Sequence, residues 1–215
     1  MSDPAFFQPS SNPGPETSPF SLLSRRKAAG ILGAAGAAII GGGSPASAFL
    51  FRKAANPEVN LSTLPEQWVS LQGRNLPNYI DYLSSLNLEN IEVEQVVSAH
   101  AKQKGNCWNT IAPQNMWRNI GGTLKVIDRL AREINMPVKE VVSVYRSPAY
   151  NARCPGAKSS SWHQVNCAVD VVFPARASAI TRTIRDLRNR GLFRGGVGGY
   201  SGFTHIDTRG QNVDW

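Results

Sequence analysis

Ala168-Val169-Asp170-Val171-Val172-Phe173 is a short, β-branched run with a carboxylate in its middle. The composition predicts a buried strand, and alternation along it places Asp170 on one face with Ala168 and Val172. A carboxylate in so apolar a setting costs on the order of several kcal/mol of desolvation unless a cation or hydrogen bonds compensate. Asp170 therefore needs a partner, and a metal ion is a good candidate. Two further stretches carry suitable side chains, Ser161-Trp162-His163 upstream and His205-Ile206-Asp207 downstream. Phe203 to Thr208 reads as a strand with Phe203, His205 and Asp207 on one face, so His205 can bind a metal while Asp207 reaches the same pocket. Imidazole and carboxylate together suit a borderline ion such as Zn²⁺, and three protein ligands with an open fourth position describe a hydrolytic rather than a structural site.

Outward from this strand, the pattern gives helices and strands in mixed order. Leu124, Ile127, Leu130, Ala131 and Ile134 repeat at helical spacing, with Thr123 as the expected cap and Met136-Pro137 as the stop. Val141 to Tyr145 reads as a strand that delivers Arg146 to its end, and Ser147-Pro148 as the cap and first position of a short helix through Asn151. A basic amphipathic helix is expected from Ser178 to Arg190, its arginines solvated, stopped by Gly191. Gly195 to Gly199 lacks GxGxxG spacing and reads as a flexible turn. His100 falls on an apolar stripe with Val93, Val96 and Val97, where a histidine is more often a hydrogen-bonded packing residue than a ligand. Residues 49–95, with Pro57, Pro65 and Pro77, read as a strap that packs on a domain spanning 96–215.

The first 48 residues look like an address. Ser24-Arg25-Arg26-Lys27 precedes an apolar run from Ala28 to Ile40, and Ala46-Ser47-Ala48 closes the segment. This is the layout of a twin-arginine signal peptide, and it implies the twin-arginine translocation machinery as a partner and a periplasmic or extracellular destination. The run is far shorter than the about 20 residues a membrane span needs, so no stable membrane anchor is expected. The formal charge of +8 is carried mostly outside this leader and implies an anionic partner. In an oxidising compartment Cys107, Cys154 and Cys167 allow one disulfide, with Cys154 to Cys167 bracketing the approach to His163; three small buried hydrophobes is the equal alternative. Their spacing forms no CxxC unit.

Four blocks in order, Tyr145-Arg146-Ser147-Pro148-Ala149-Tyr150-Asn151, Ser161-x-His163 with Asp170, Gly198-Gly199-Tyr200, and Phe203 to Arg209, resemble the zinc D-alanyl-D-alanine carboxypeptidases of peptidase family M15, and most closely their twin-arginine-exported murein endopeptidases. The resemblance spans about residues 110 to 215. It implies an α+β fold of the D-Ala-D-Ala carboxypeptidase/hedgehog type, a small antiparallel sheet with flanking helices holding one zinc per chain. It further implies His163, Asp170 and His205 as metal ligands, Arg146 as the residue that holds substrate or stabilises the oxyanion, and Ser161 and Tyr200 near the substrate. Asn166 stands where many members have a glycine, and Gly202 where many have the acidic general base. Asp207 is then either a substitute base or the residue that orients a ligand histidine, and Ser161 either a donor to a ligand or a turn residue.

The implied activity is a zinc-dependent peptidase acting on peptidoglycan crosslinks or stem peptides. The competing class is a non-catalytic, zinc-containing cell-wall-binding module, motivated by Gly202. A nucleic-acid binder is disfavoured, because no aromatic platform is interleaved with the basic residues.

Overall fold

A computed structural model describes residues 59–215, so the expected leader lies outside the described residues. Three short helices come first, α1 (Glu66–Gln72), α2 (Asn75–Ser84) and α3 (Val93–His100). They do more than strap the domain: Trp68, Leu76, Tyr79 and Leu83 are fully buried in the same core as the later elements, and the expected boundary between residues 95 and 96 falls inside α3. Apolar residues at helical spacing on α2 explain this, since a stripe that wide must find a core to cover it. His100 is a packing residue as expected: its Nδ1 faces the Thr110 carbonyl at 3.1 Å, which leaves Nε2 to accept from the Tyr79 hydroxyl at 3.1 Å.

A two-residue hairpin, β1 (Gln103–Lys104) and β2 (Cys107–Trp108), leads to α4 (Trp117–Glu133). The helix starts six residues before the expected cap, because Ile120 extends the buried stripe and Gly121 admits α2. A Cβ on Gly121 would run into the Tyr82 hydroxyl, which donates to the Trp117 carbonyl at 2.7 Å. Thr123 is accordingly not a cap. It is buried mid-helix, donating to the Cys167 carbonyl at 3.0 Å and meeting the Thr208 hydroxyl at 2.8 Å, and so ties the helix to the residue before the strand Ala168–Val172 and to the residue after the strand Thr204–Asp207.

The sheet comprises β3 (Glu140–Ser143), β4 (Ala168–Val172), β5 (Gly196–Gly199), β6 (Thr204–Asp207) and β7 (Val213–Asp214) in the order β3-β4-β6-β5-β7. All pairings are antiparallel except β5 with β7. Between β3 and β4 lies the short helix α5 (Pro148–Asn151), capped as expected by Ser147, whose hydroxyl accepts from the Tyr150 amide. Helix α6 (Ala177–Asn189) packs on the sheet through Ile180, Ile184 and Leu187. Its basic face is only partly solvated. Arg188 is buried, with Nη1 2.7 Å from Asp214 and bonded to the Gly195 and Val213 carbonyls, because β7 lies against the helix and supplies these acceptors.

The glycine-rich stretch is a strand, not a flexible turn. Gly198 is the register partner of His205, and a Cβ on it would come within 2.5 Å of the Trp215 indole. Bare backbone there is what lets Trp215 lie beside His205, at 5.0 Å between ring centroids. The three cysteines are free thiols, so the Cys154–Cys167 bridge is not formed.

Two outcomes follow from this packing. Gly198→Ala should displace the Trp215 ring and cost about 1–3 kcal/mol, read as a lower urea midpoint at unchanged slope. Burial pushes the His100 imidazole down from 6.5 to about 3, so between those values the unfolded chain binds the extra proton. Stability should therefore be lost as pH falls from 6.5 toward 3, with a slope contribution of about 1.4 kcal/mol per pH unit that His100→Gln removes.

Candidate metal centre

Each of the three expected ligands comes from a different piece of local structure. Asp170 and His205 are register partners on β4 and β6, which places their side chains next to one another on the same face of the sheet. His163 arrives from a tight turn closed by the Asn166 amide on the His163 carbonyl and by the Cys167 amide on the Trp162 carbonyl. Asn166 sits at a φ of 58°, the left-handed conformation that asparagine tolerates better than most residues. Its side-chain amide donates to the Met116 carbonyl and anchors the turn to the start of α4. Ser161 is a turn residue: its hydroxyl accepts from the His163 amide at 3.3 Å, and its carbonyl from the Gln164 amide at 2.9 Å.

The ligand atoms of His163, Asp170 and His205 lie within 4.8 Å of one another, and all three residues are buried. Asp170 Oδ1 is the shared point, 3.3 Å from His163 Nε2 and 2.7 Å from His205 Nδ1. The opposite ring nitrogens are engaged elsewhere. His163 Nδ1 donates to the Val144 carbonyl at 2.6 Å, and His205 Nε2 faces Asp207 Oδ2 at 3.1 Å. Each imidazole thus has its outward N–H fixed and its inward nitrogen turned to the same point, the arrangement that orients histidine ligands.

The two imidazoles differ electrostatically: burial would lower the His205 imidazole, but its bonds to Asp170 and Asp207 raise it above the usual value, favouring its charged form in the metal-free protein. Burial opposes ionisation of Asp170, but its interactions with His163 and His205 hold its carboxyl well below the usual range. Burial lowers the His163 imidazole, favouring the neutral form that can coordinate a cation. Arg146 donates from Nη2 to Asp170 Oδ2 at 2.7 Å and from Nε to the Ser143 hydroxyl at 2.8 Å. It therefore neutralises the outer oxygen of the acid while Oδ1 stays with the imidazoles. Two imidazole nitrogens and one carboxylate oxygen within 4.8 Å of one another are a donor set of the kind that holds a single metal ion.

The centre floors a cleft of about 700 Å³ with Arg146, Lys158 and Arg209 among its walls. Tyr200 lies on the rim, stacked on Phe203 at 4.5 Å and accepting from Trp215 Nε1 at 2.9 Å. At Gly202 a Cβ would meet nothing within 4 Å, so the missing acid there is not imposed by crowding.

Asp207 is fully buried and heavily bonded. Oδ1 accepts from the Gly196 amide at 3.0 Å, the Arg209 amide at 3.1 Å and Arg209 Nε at 2.8 Å, while Oδ2 meets Arg209 Nη2 at 2.5 Å besides His205. Burial would raise its pKa, yet these donors hold the carboxyl well below the usual range. Every lone-pair direction is used, which leaves no acceptor for a proton from water. The geometry thus matches the orienting role and not that of a base. Arg209 is the residue that sequence reasoning left without a role. Strand alternation could not have found it, since the strand ends at Asp207 and Arg209 lies in the bend beyond it.

The domain is α+β, with Asp170 and His205 on neighbouring strands and His163 on an adjoining turn at the floor of the cleft, a donor set that could hold one metal ion. Residues 86–207, more than half of the chain, match the family model of peptidase M15, and the chain belongs to that family. No curated protein and no solved structure matches it.

Removing the guanidinium leaves Asp170 buried without its compensating cation. Arg146→Met is expected to lower the stability of the metal-free protein by about 2 kcal/mol, measured by chemical unfolding in the presence of a chelator.

Proposed function

We propose that this chain is an exported zinc metallopeptidase that hydrolyses peptide crosslinks or stem peptides of peptidoglycan. The observation that carries the reading is the convergence of His163 Nε2, Asp170 Oδ1 and His205 Nδ1 on one point at the floor of an open cleft. M15 peptidases are in general zinc-dependent. The chemistry supplied by a zinc ion held there is Lewis acidity and a water acidified from about 15.7 toward 7.

The remaining roles belong to the protein. Arg146 keeps Nε and Nη2 on Ser143 and Asp170, leaving Nη1 to meet the carbonyl oxygen of a scissile amide and stabilise its developing charge. Lys158 adds positive charge to the cleft, which suits the free carboxylates of stem peptides. Tyr200 offers an exposed phenol to the substrate, its oxygen already held by Trp215. The twin-arginine pattern of residues 24–48 supports delivery to the compartment where that polymer lies.

A second reading, a zinc-containing wall-binding module without activity, is favoured by one observation. Among the described residues lining the cleft, the carboxylates are Asp170 and Asp214, and Asp214 is tied to Arg185 and Arg188. Digestion of crosslinked murein separates the two. The peptidase releases muropeptides with new amino groups and contains close to one zinc per chain, whereas the module binds zinc and wall but frees no amines. His163→Ala should lose both zinc and release; retention of both by that variant would remove His163 from the centre.

A further inference from the structure

The guanidinium of Arg209 lies between two indoles, 4.9 Å from the ring centre of Trp162 and 5.1 Å from that of Trp215. Both rings stand at the cleft rim, with 37 % and 44 % of their surface exposed, while the Arg209 side chain is only 15 % exposed. A cation within reach of two indole rings and half-buried between other contacts has little rotational freedom, and its edge is aimed at Asp207 with two parallel N–H donors. Asp207 in turn receives the outward N–H of His205, whose other nitrogen faces Asp170.

From this chain of contacts we infer that Arg209, gripped by Trp162 and Trp215, is a positioning residue that locks Asp207 onto His205 and so fixes which nitrogen His205 turns to the metal. The inference rests on the metal reading above. It explains three features that the ligand set alone leaves idle. The first is the double ion pairing of Asp207, which a proton shuttle could not carry. The second is the tryptophan at 215, anchored through its carbonyl by the Gly199 amide at 2.9 Å and Arg185 at 2.7 Å. The third is the bare backbone at Gly196 and Gly198, where a Cβ would meet Asp207, Arg209 or the Trp215 ring. Strand β5 is stripped of side chains so that the clamp can close over His205. Trp162 belongs to the turn that carries His163, so the same clamp joins the two histidine-bearing segments through one guanidinium.

The test is a metal titration. The full chain and its Arg209→Gln, Arg209→Lys and Trp162→Leu variants are titrated with Zn²⁺ and Co²⁺ against a chromophoric chelator, with Arg182→Gln as an exposed control on α6. Arg209→Gln should bind about 10-fold or more weakly, the range for a lost partner of a ligand's own partner, and should shift the visible absorption of the cobalt form. Arg209→Lys keeps the charge but not the two-point fork, and Trp162→Leu removes one of the two rings; both should fall in between. Arg182→Gln should match the unmodified chain. Wild-type affinity and an unaltered cobalt spectrum in Arg209→Gln would overturn the positioning role while leaving the metal site intact. If that variant does not fold, Trp162→Leu decides by the same two readouts. An unmodified protein that binds neither ion would overturn the metal reading and this inference with it.

Discussion

A carboxylate buried on an inner strand of a five-stranded sheet is the constraint on which the rest of this molecule depends. Asp170 is almost fully removed from water and cannot stay ionised there alone. The protein surrounds it with two imidazoles on one oxygen and a guanidinium on the other, drawn from β6, from the turn at His163 and from the end of β3. Each of these elements must be placed to within hydrogen-bond distance for the acid to be compensated. The same demand that stabilises the charge therefore assembles the candidate centre.

Around that centre the sheet is shaped by what it omits as much as by what it carries. Strand β5 is nearly all glycine, and the space left by its missing side chains is taken by Trp215 and the Arg209 and Asp207 pair. Such a strand contributes little packing of its own and would be weak in isolation. It is held by pairing on both edges, with β6 and β7, and by arginines of α6 that bind the backbone and acid of the last strand. The basic helix thus acts partly as an internal brace, while Arg182 and Arg190 are exposed to solvent.

The chemistry follows from how the carboxylates are divided. Asp170 is shared between the imidazoles and Arg146, and Asp207 is saturated by five donors, so both serve geometry. Arg146 and the rim tyrosine are among the polar groups that line the cleft. Gly202 is exposed, with open space where a side chain would be.

Much of this was legible in the sequence. Local chemistry gave the β4 strand with its acid, the Ser147-Pro148 cap, the basic helix and the packing role of His100, because alternation and capping are properties of a few neighbouring residues; the grouping of His163, Asp170 and His205, implied by the family resemblance, is what the fold brings within 4.8 Å. Several features depended on distant contacts instead. Thr123 lies in mid-helix because α2 reaches Gly121, residues 59–95 join the core because α4 covers them, and Gly196 to Gly199 form a strand because Trp215 fills their empty face. The separation of orienting from proton-transferring roles at Asp207 likewise required tertiary structure. Residue types and spacing state which groups can bond, but only the strand register and the closing of the Trp162 turn decide which lone pairs are already taken.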